Sequence, residues 1–166
     1  MSLITTETLV SYYNMKPHPE GGFFVETFRS LQHCQVQGKE HACGSTILYL
    51  LPSGRQDSLH RLKSDETWSF YLGQSLQLWT ISPTGQVSCI RLGSNPLNQE
   101  LLQYTVPAGY WFGAECTKGS SPFALVGCIV FPAFEWEEFE LATTETLKDL
   151  VSPDDFETLK RFIKSS

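Results

Sequence analysis

Hydrophobic and polar positions change period twice along the chain. Over residues 5–15, Leu9, Tyr12 and Tyr13 recur at helical spacing behind Thr5 and Thr6, either of which can cap a first turn. The spacing predicts a short helix. Lys16-Pro17-His18-Pro19 stops it, because proline disfavours helical geometry in the residue before it. After Gly21-Gly22 the period becomes two: Phe24, Glu26 and Phe28 face one way, and Phe23, Val25, Thr27 and Arg29 the other. Residues 31–44 are polar and read as a long loop. Strands are then expected at 45–51, 58–62, 67–72, 76–81, 87–92, 102–106, 110–114 and 123–130. Pro52-Ser53-Gly54, Lys63-Ser64-Asp65, Gly73-Gln74, Pro83-Thr84-Gly85 and Pro107-Ala108-Gly109 supply the turns between them. Helical signals return at 144–151 and again from Ser152-Pro153-Asp154-Asp155, where a capping serine, a first-turn proline and two acids coincide. Many short, regularly spaced strands predict a sandwich or barrel.

The chain's 166 residues suit one domain, and 41% hydrophobic content suffices for a core. Aromatic residues make up 13%, which favours pleated surfaces and a lined cavity. A formal charge of −6 repels a long polyanion, so no nucleic acid polymer is expected as a partner. Cys34, Cys43, Cys89, Cys116 and Cys128 are odd in number and lack C-x-x-C spacing, which excludes a disulfide scaffold and a zinc finger. They read as reduced thiols of a cytoplasmic protein. The first residues lack a signal-peptide pattern, and the longest apolar stretch is too short to span a bilayer, so no membrane partner is expected.

Candidate chemistry concentrates between Gly54 and Gly73. His60 ends one expected strand and Glu66 begins the next, so both side chains can enter the mouth of a barrel. In the cupin motifs that this spacing resembles, Leu62 and Phe112 stand at the two remaining ligand positions, and neither can coordinate. Two protein ligands fall short of the three usual in a catalytic zinc site. No metal and no cofactor are therefore expected; His18, His33 or His41 would supply a missing ligand only through the fold. Paired with Glu66 or Asp65, His60 would have a fixed tautomer and raised basicity, suited to removing a proton beside a carbonyl. Alternatively, His60 and Glu66 only satisfy each other. Arg29, grouped with Glu20 and Glu26, suits either a phosphate or an ion pair. Tyr71 and Trp111 are flat rings suited to stacking on a ligand. The acidic run 135–140 reads as a solvated face or a subunit contact.

Four phrases then carry a resemblance: PHPEGGFFVETFRS at 17–30, HRLKSDETWSFYLG at 60–73, VPAGYWFGAE at 106–115 and LVGCIVFPAFEWEEFEL at 125–141. The order Gly54, His60, Glu66, Gly73, then Pro107-Ala108-Gly109, resembles the two cupin motifs. The chain resembles a single-domain branch of the cupin superfamily. That implies an all-β double-stranded β-helix, the cupin jelly-roll barrel, with a core at about 20–141 and short N- and C-terminal helices, the latter at 144–164. The branch is similar in fold to the dTDP-sugar 3,5-epimerases, which are homodimeric and lack a catalytic metal. The phrase Gly22-Phe23-Phe24-Val25-Glu26 is similar to theirs, with Phe24 and Glu26 matching, and Gly21 stands where they often carry an arginine. Ser69 stands where many branch members carry a histidine. The resemblance implies a homodimer that exchanges or extends an N-terminal strand. It also implies a nucleotide or nucleotide-sugar ligand in the barrel mouth. The expected function is ligand binding with possible metal-independent epimerase or isomerase activity. His60 and Glu66 would be catalytic, and Phe24, Glu26, Arg29, Tyr71 and Trp111 would contact the ligand. The alternatives are a non-catalytic binding or sensing module and a degenerate metal-dependent enzyme.

Overall fold

The computed structural model describes residues 4–164. The chain runs α1 (Thr6–Tyr12), β1 (Lys16–Pro17), β2 (Phe23–Arg29), β3 (His33–Val36), β4 (Lys39–Ala42), β5 (Ser45–Pro52), β6 (His60–Arg61), β7 (Asp65–Gly73), β8 (Leu76–Ile81), β9 (Val87–Leu92), β10 (Gln103–Val106), β11 (Trp111–Cys116), β12 (Phe123–Phe131), β13 (Glu140–Leu141), α2 (Thr144–Leu150) and α3 (Pro153–Leu159). One sheet has the order β1-β2-β5-β12-β7-β10 and the other β13-β6-β11-β8-β9. Every pairing between these strands is antiparallel. This is the jelly roll expected from the sequence.

The two-residue period decides which side chains meet. Tyr49, Leu51, Trp68, Val126 and Cys128 of the first sheet pack against Leu76, Leu78, Phe112 and Ala114 of the second. The outer faces are covered separately. Leu9 of α1 and Met15 lie on Leu50, Phe123 and Leu125. Leu147 of α2, Leu159 of α3 and Phe162 lie on Leu59, Ile81 and Trp111. Thr5, Thr143 and Ser152 cap the three helices, each accepting a hydrogen bond from a backbone N–H three residues on.

Three expectations need correction. Residues 31–44 are not a loop: β3 and β4 form a hairpin, turned at Gln37 and Gly38, whose φ values are +50° and +81°. Such a two-residue left-handed turn matches the twist of a hairpin. Its strands are polar on both faces, so alternation carried no signal. The strand expected at 58–62 shrinks to β6, because the Asp57 N–H bonds Ala114 O and the Leu59 N–H bonds Phe162 O. In β2 the register shifts between Glu26 and Phe28, where Thr27 is the extra residue. The bulge reverses the later phase of the strand, so Arg29 joins Glu26 on one face instead of opposing it.

Gly22 has φ +67°, and a Cβ there would stand 2.5 Å from Leu50 O. Gly38 has a similar φ of +81° but open space around it. Gly38→Ala is expected to cost about 1 kcal/mol, from left-handed geometry alone. Gly22→Ala adds a clash with fixed backbone and is expected to cost at least about 3 kcal/mol. Urea unfolding of both variants checks the difference; equal costs would mean that the β2 entry relaxes freely.

Candidate functional site

At one end of the core the packing gives way to a cavity of about 120 Å³. Its wall includes His18, Glu20, Asp57, His60 and Glu66, with Phe24, Phe134, Trp136 and Phe139 around them. Three segments deliver the polar groups. The turn between β1 and β2 brings His18 and Glu20; the Ser58 N–H and Oγ hold it by donating to Glu20 O, and Tyr49 Oη donates to Gly21 O. The segment before β6 brings Asp57, held by its N–H to Ala114 O at 2.7 Å. Strands β6 and β7 bring His60, paired with Phe112 and Leu141, and Glu66, paired with Val130 and Val106.

Hydrogen-bond partners fix the state of both imidazoles. His60 Nδ1 lies 2.8 Å from Ser58 O, which can only accept, so Nδ1 carries the hydrogen and Nε2 is the basic nitrogen. Glu20 Oε1 also lies 2.8 Å from Nδ1, but that hydrogen serves Ser58, and Oε1 has no hydrogen bond of good geometry. His18 Nδ1 accepts from the Glu20 N–H at 3.3 Å, so in the neutral ring Nε2 bears the hydrogen. Burial, and secondarily the charge of His60, hold His18 down to about 4. It is therefore neutral at physiological pH.

The carboxyl groups are the unusual part of this wall. Glu20, Asp57 and Glu66 are 7%, 1% and 6% exposed. Burial raises all three above the ordinary carboxylate range, Glu20 and Asp57 by a wide margin. Glu20 and Asp57 stand close together, with donor atoms within 4.8 Å, and the charge of Glu20 adds to the rise at Asp57. His60 and the nearby Trp68 and Cys128 side chains pull Glu66 partly back down. Glu20 Oε1, Asp57 Oδ1, Glu66 Oε2 and Trp68 Nε1 are buried without a well-formed hydrogen bond among the described residues. Orphaned polar atoms converging on a cavity are what a polar ligand would satisfy.

The rim is built by a different device. Arg29 donates from Nε and Nη2 to Glu26, from Nη1 to Glu135 Oε1 at 3.1 Å, and from Nη2 to Phe134 O at 3.1 Å. These bonds tie the segment after β12 to β2 and set Phe134, Trp136 and Phe139 over the opening. The ring centroids of Phe139 and His60 lie 5.4 Å apart, and those of Trp136 and His18 6.3 Å apart.

Of the residues singled out in the sequence, His60, Glu66, Phe24, Glu26 and Arg29 all line the cavity. The partner of His60 is a correction: Glu20 stands beside it, while Asp65 accepts from the Ala108 N–H instead. Arg29 is engaged by protein carboxylates, the ion-pair alternative. Tyr71 and Trp111 lie outside the cavity. Tyr71 occupies the β7 irregularity and covers Gly127 on the outer face, 53% exposed. Trp111 packs under α2 and α3, with the Arg61 guanidinium 4.5 Å above its ring. Phe112 points inward, so its neighbour Trp111 had to point outward. The run 135–140 supplies cavity wall and a clasp, with Glu138 3.7 Å from His41. Asp57 was missed altogether; it lies between Gly54 and His60 in an irregular stretch with no periodic signal.

In the unfolded chain Asp57 ionises near 3.8, whereas in the fold it holds its proton well above that value. Its burial therefore withdraws stability as pH rises above about 4, and withdraws none below it. Asp57→Asn is expected to raise stability by on the order of 1 kcal/mol at about pH 7, with the gain fading towards about pH 4. Urea unfolding across that range in chelator-treated protein checks this; a loss of stability at neutral pH would contradict it.

Residues 7–142 match the family described as the cupin superfamily (DUF985). A hypothetical protein from Leishmania major has 32% identity and a TM-score of 0.89, over 98% of this chain and 100% of that one. Protein SO0799 from Shewanella oneidensis has 30% identity and a TM-score of 0.87, over 99% of this chain and 100% of that one. The uncharacterized protein YML079W of Saccharomyces cerevisiae is 27% identical over 164 aligned residues, covering 89% of this chain and 81% of its own length. The motif positions for a cupin metal do not fit one here, since Leu62 and Phe112 are buried apolar side chains beside His60 and Glu66. With its jelly-roll fold and the match over residues 7–142, the chain belongs to the cupin superfamily, in the DUF985 branch.

Proposed function

We propose that the cavity binds a small polyhydroxylated carbonyl compound and that His60 moves a proton on it, in an epimerase or isomerase reaction. The observation that carries this reading is the His60 ring, held with Nδ1–H towards Ser58 O and Glu20 and with Nε2 basic. Nε2 would take the proton from the carbon beside the carbonyl. The resulting imidazolium would be stabilised by Glu20 and Glu66, and a protonated Asp57 or Glu20 would donate to the developing enolate oxygen. A proton delivered to the opposite face of the same carbon, from a second acid of the wall or from water, would complete an epimerisation. A proton delivered to the former carbonyl carbon, with the neighbouring hydroxyl giving up its proton to become the new carbonyl, would complete an isomerisation. None of these steps needs a metal.

The cavity supports a sugar-sized group. Its volume of about 120 Å³ is below the roughly 300–1,000 Å³ of sites that enclose larger ligands. For a sugar nucleotide, only the sugar would enter, and the base would lie outside against Trp136, which is 50% exposed. Arg29 has its donors on Glu26, Glu135 and Phe134, which favours an unphosphorylated sugar over a phosphate held at the rim.

Deuterium uptake tests the reaction. The full chain in D₂O is incubated with free keto and aldo sugars, uronates, sugar phosphates and sugar nucleotides. Uptake beside the carbonyl is expected with at least one of them, read by mass spectrometry. His60→Gln is expected to lower the rate by about 10²–10⁴-fold while melting at a similar temperature. A compound that raises the melting temperature without exchange would favour the non-catalytic binding module. No exchange anywhere on the panel would contradict the enzyme reading.

A further inference from the structure

His18, Glu20 and Asp57 each offer a donor atom, and these lie within 4.8 Å of one another in the cavity wall. We propose that they form a binding site for one divalent first-row transition cation, of the Mn²⁺ to Zn²⁺ group, distinct from the positions of the cupin motif. The lone pair on His18 Nδ1 meets only the Glu20 N–H, at the long distance of 3.3 Å, and is the ligating atom. Glu20 Oε2 lies 3.5 Å from that nitrogen, while its other oxygen, Oε1, faces His60. One carboxylate can thus serve the ion with Oε2 while Oε1 stays beside His60, whose ring is oriented by Ser58 O. Asp57 Oδ1 is the third donor. It belongs to a side chain 1% exposed and has no partner among the described residues.

Charge and geometry favour an ion here. Glu20, Asp57 and Glu66 crowd one buried wall, and the guanidinium lining the cavity, that of Arg29, is engaged at the rim. Two ligands at about 2.1 Å from one ion stand at most about 4.2 Å apart. Small rotations about the Glu20 and Asp57 side-chain bonds close the remaining gap. One imidazole nitrogen with two carboxylates suits borderline cations better than Mg²⁺ or Ca²⁺, which need more oxygen ligands. Three protein ligands leave coordination positions facing the cavity, where a ligand carbonyl or hydroxyl can bind.

The test is calorimetric titration of the untagged full chain, stripped with chelator, with MnCl₂, CoCl₂, ZnCl₂, MgCl₂ and CaCl₂. One equivalent of Mn²⁺, Co²⁺ or Zn²⁺ is expected, bound at least tenfold tighter than Mg²⁺ or Ca²⁺. Co²⁺ is expected to give a visible absorption band of nitrogen–oxygen coordination. His18→Ala and Asp57→Asn are each expected to weaken binding at least tenfold, while His33→Ala, on the exposed hairpin, leaves it unchanged. Asp57→Asn is expected to be the more stable protein, so its loss of binding does not reflect unfolding. Absence of stoichiometric binding would overturn the proposal, as would binding that survives both His18→Ala and Asp57→Asn. Loss with His60→Gln and Glu66→Gln alone would put the ion at the motif positions and overturn it equally. Ion binding takes Glu20 and Asp57 ionised, so the ion-bound protein would lack the carboxylic acid proposed to donate to the enolate oxygen. The readout is binding, so failure of proton transfer at His60 leaves this site standing, and the reverse also holds.

Discussion

The contact between Glu20 and His60, 2.8 Å from oxygen to nitrogen, joins a turn outside the barrel to a strand within it. Everything distinctive about the cavity follows from bringing that carboxyl inside. The turn must pass so close to β5 that residue 22 has no room for a side chain. Its carbonyls are held by Ser58, Tyr49 and Lys164, so Glu20 does not swing out to water. Once inside, it meets Asp57 and Glu66, and burial raises all three carboxyl groups above the ordinary carboxylate range. A core built for stability alone would place leucines there. The arrangement trades stability for a wall that can donate, accept and orient, as functional sites commonly do.

The hydrophobic pattern specified the barrel well, and for a clear reason. Strands β5, β7, β8, β11 and β12 each bury one face against the other sheet and the other face under helices or solvent, so a period of two had to appear. The hairpin β3–β4 escaped because its strands carry too few apolar residues to show a period, even though His41 and Ala42 are buried. A bulge defeated the finer reading of β2, where the extra residue Thr27 carried Arg29 to the cavity side. Tyr71 faces outward by plain alternation, since Trp68 and Phe70 face the core. Trp111 is a similar case, since the inward phase of Phe112 already excluded it.

The site was only half legible. His60 and Glu66 sit at motif spacing on strands, where position in sequence translates into direction in space. Asp57 and His18 reach the cavity from irregular segments whose course is set by long-range bonds such as Asp57 N–H to Ala114 O. No local pattern encodes such a bond. Trp136 and Phe139 looked like part of an acidic surface run, and they become wall only because Arg29 pulls the backbone at Phe134 and the Glu135 side chain across the opening. What a single sequence could offer was the unusual density of acids and histidines at 18–20 and 57–66, close to glycines that allow tight approach.

The central claim is that the buried carboxyl cluster holds a proton at neutral pH in the metal-free fold, with Asp57 at its centre. Isotope-edited infrared spectroscopy of the chelator-treated full chain reads this directly, because a protonated carboxyl has a C=O stretch that ionised surface carboxylates lack. The account predicts a carboxylic-acid band at neutral pH that is lost or displaced in Asp57→Asn. A spectrum with carboxylate bands alone, unchanged by Asp57→Asn, would contradict it.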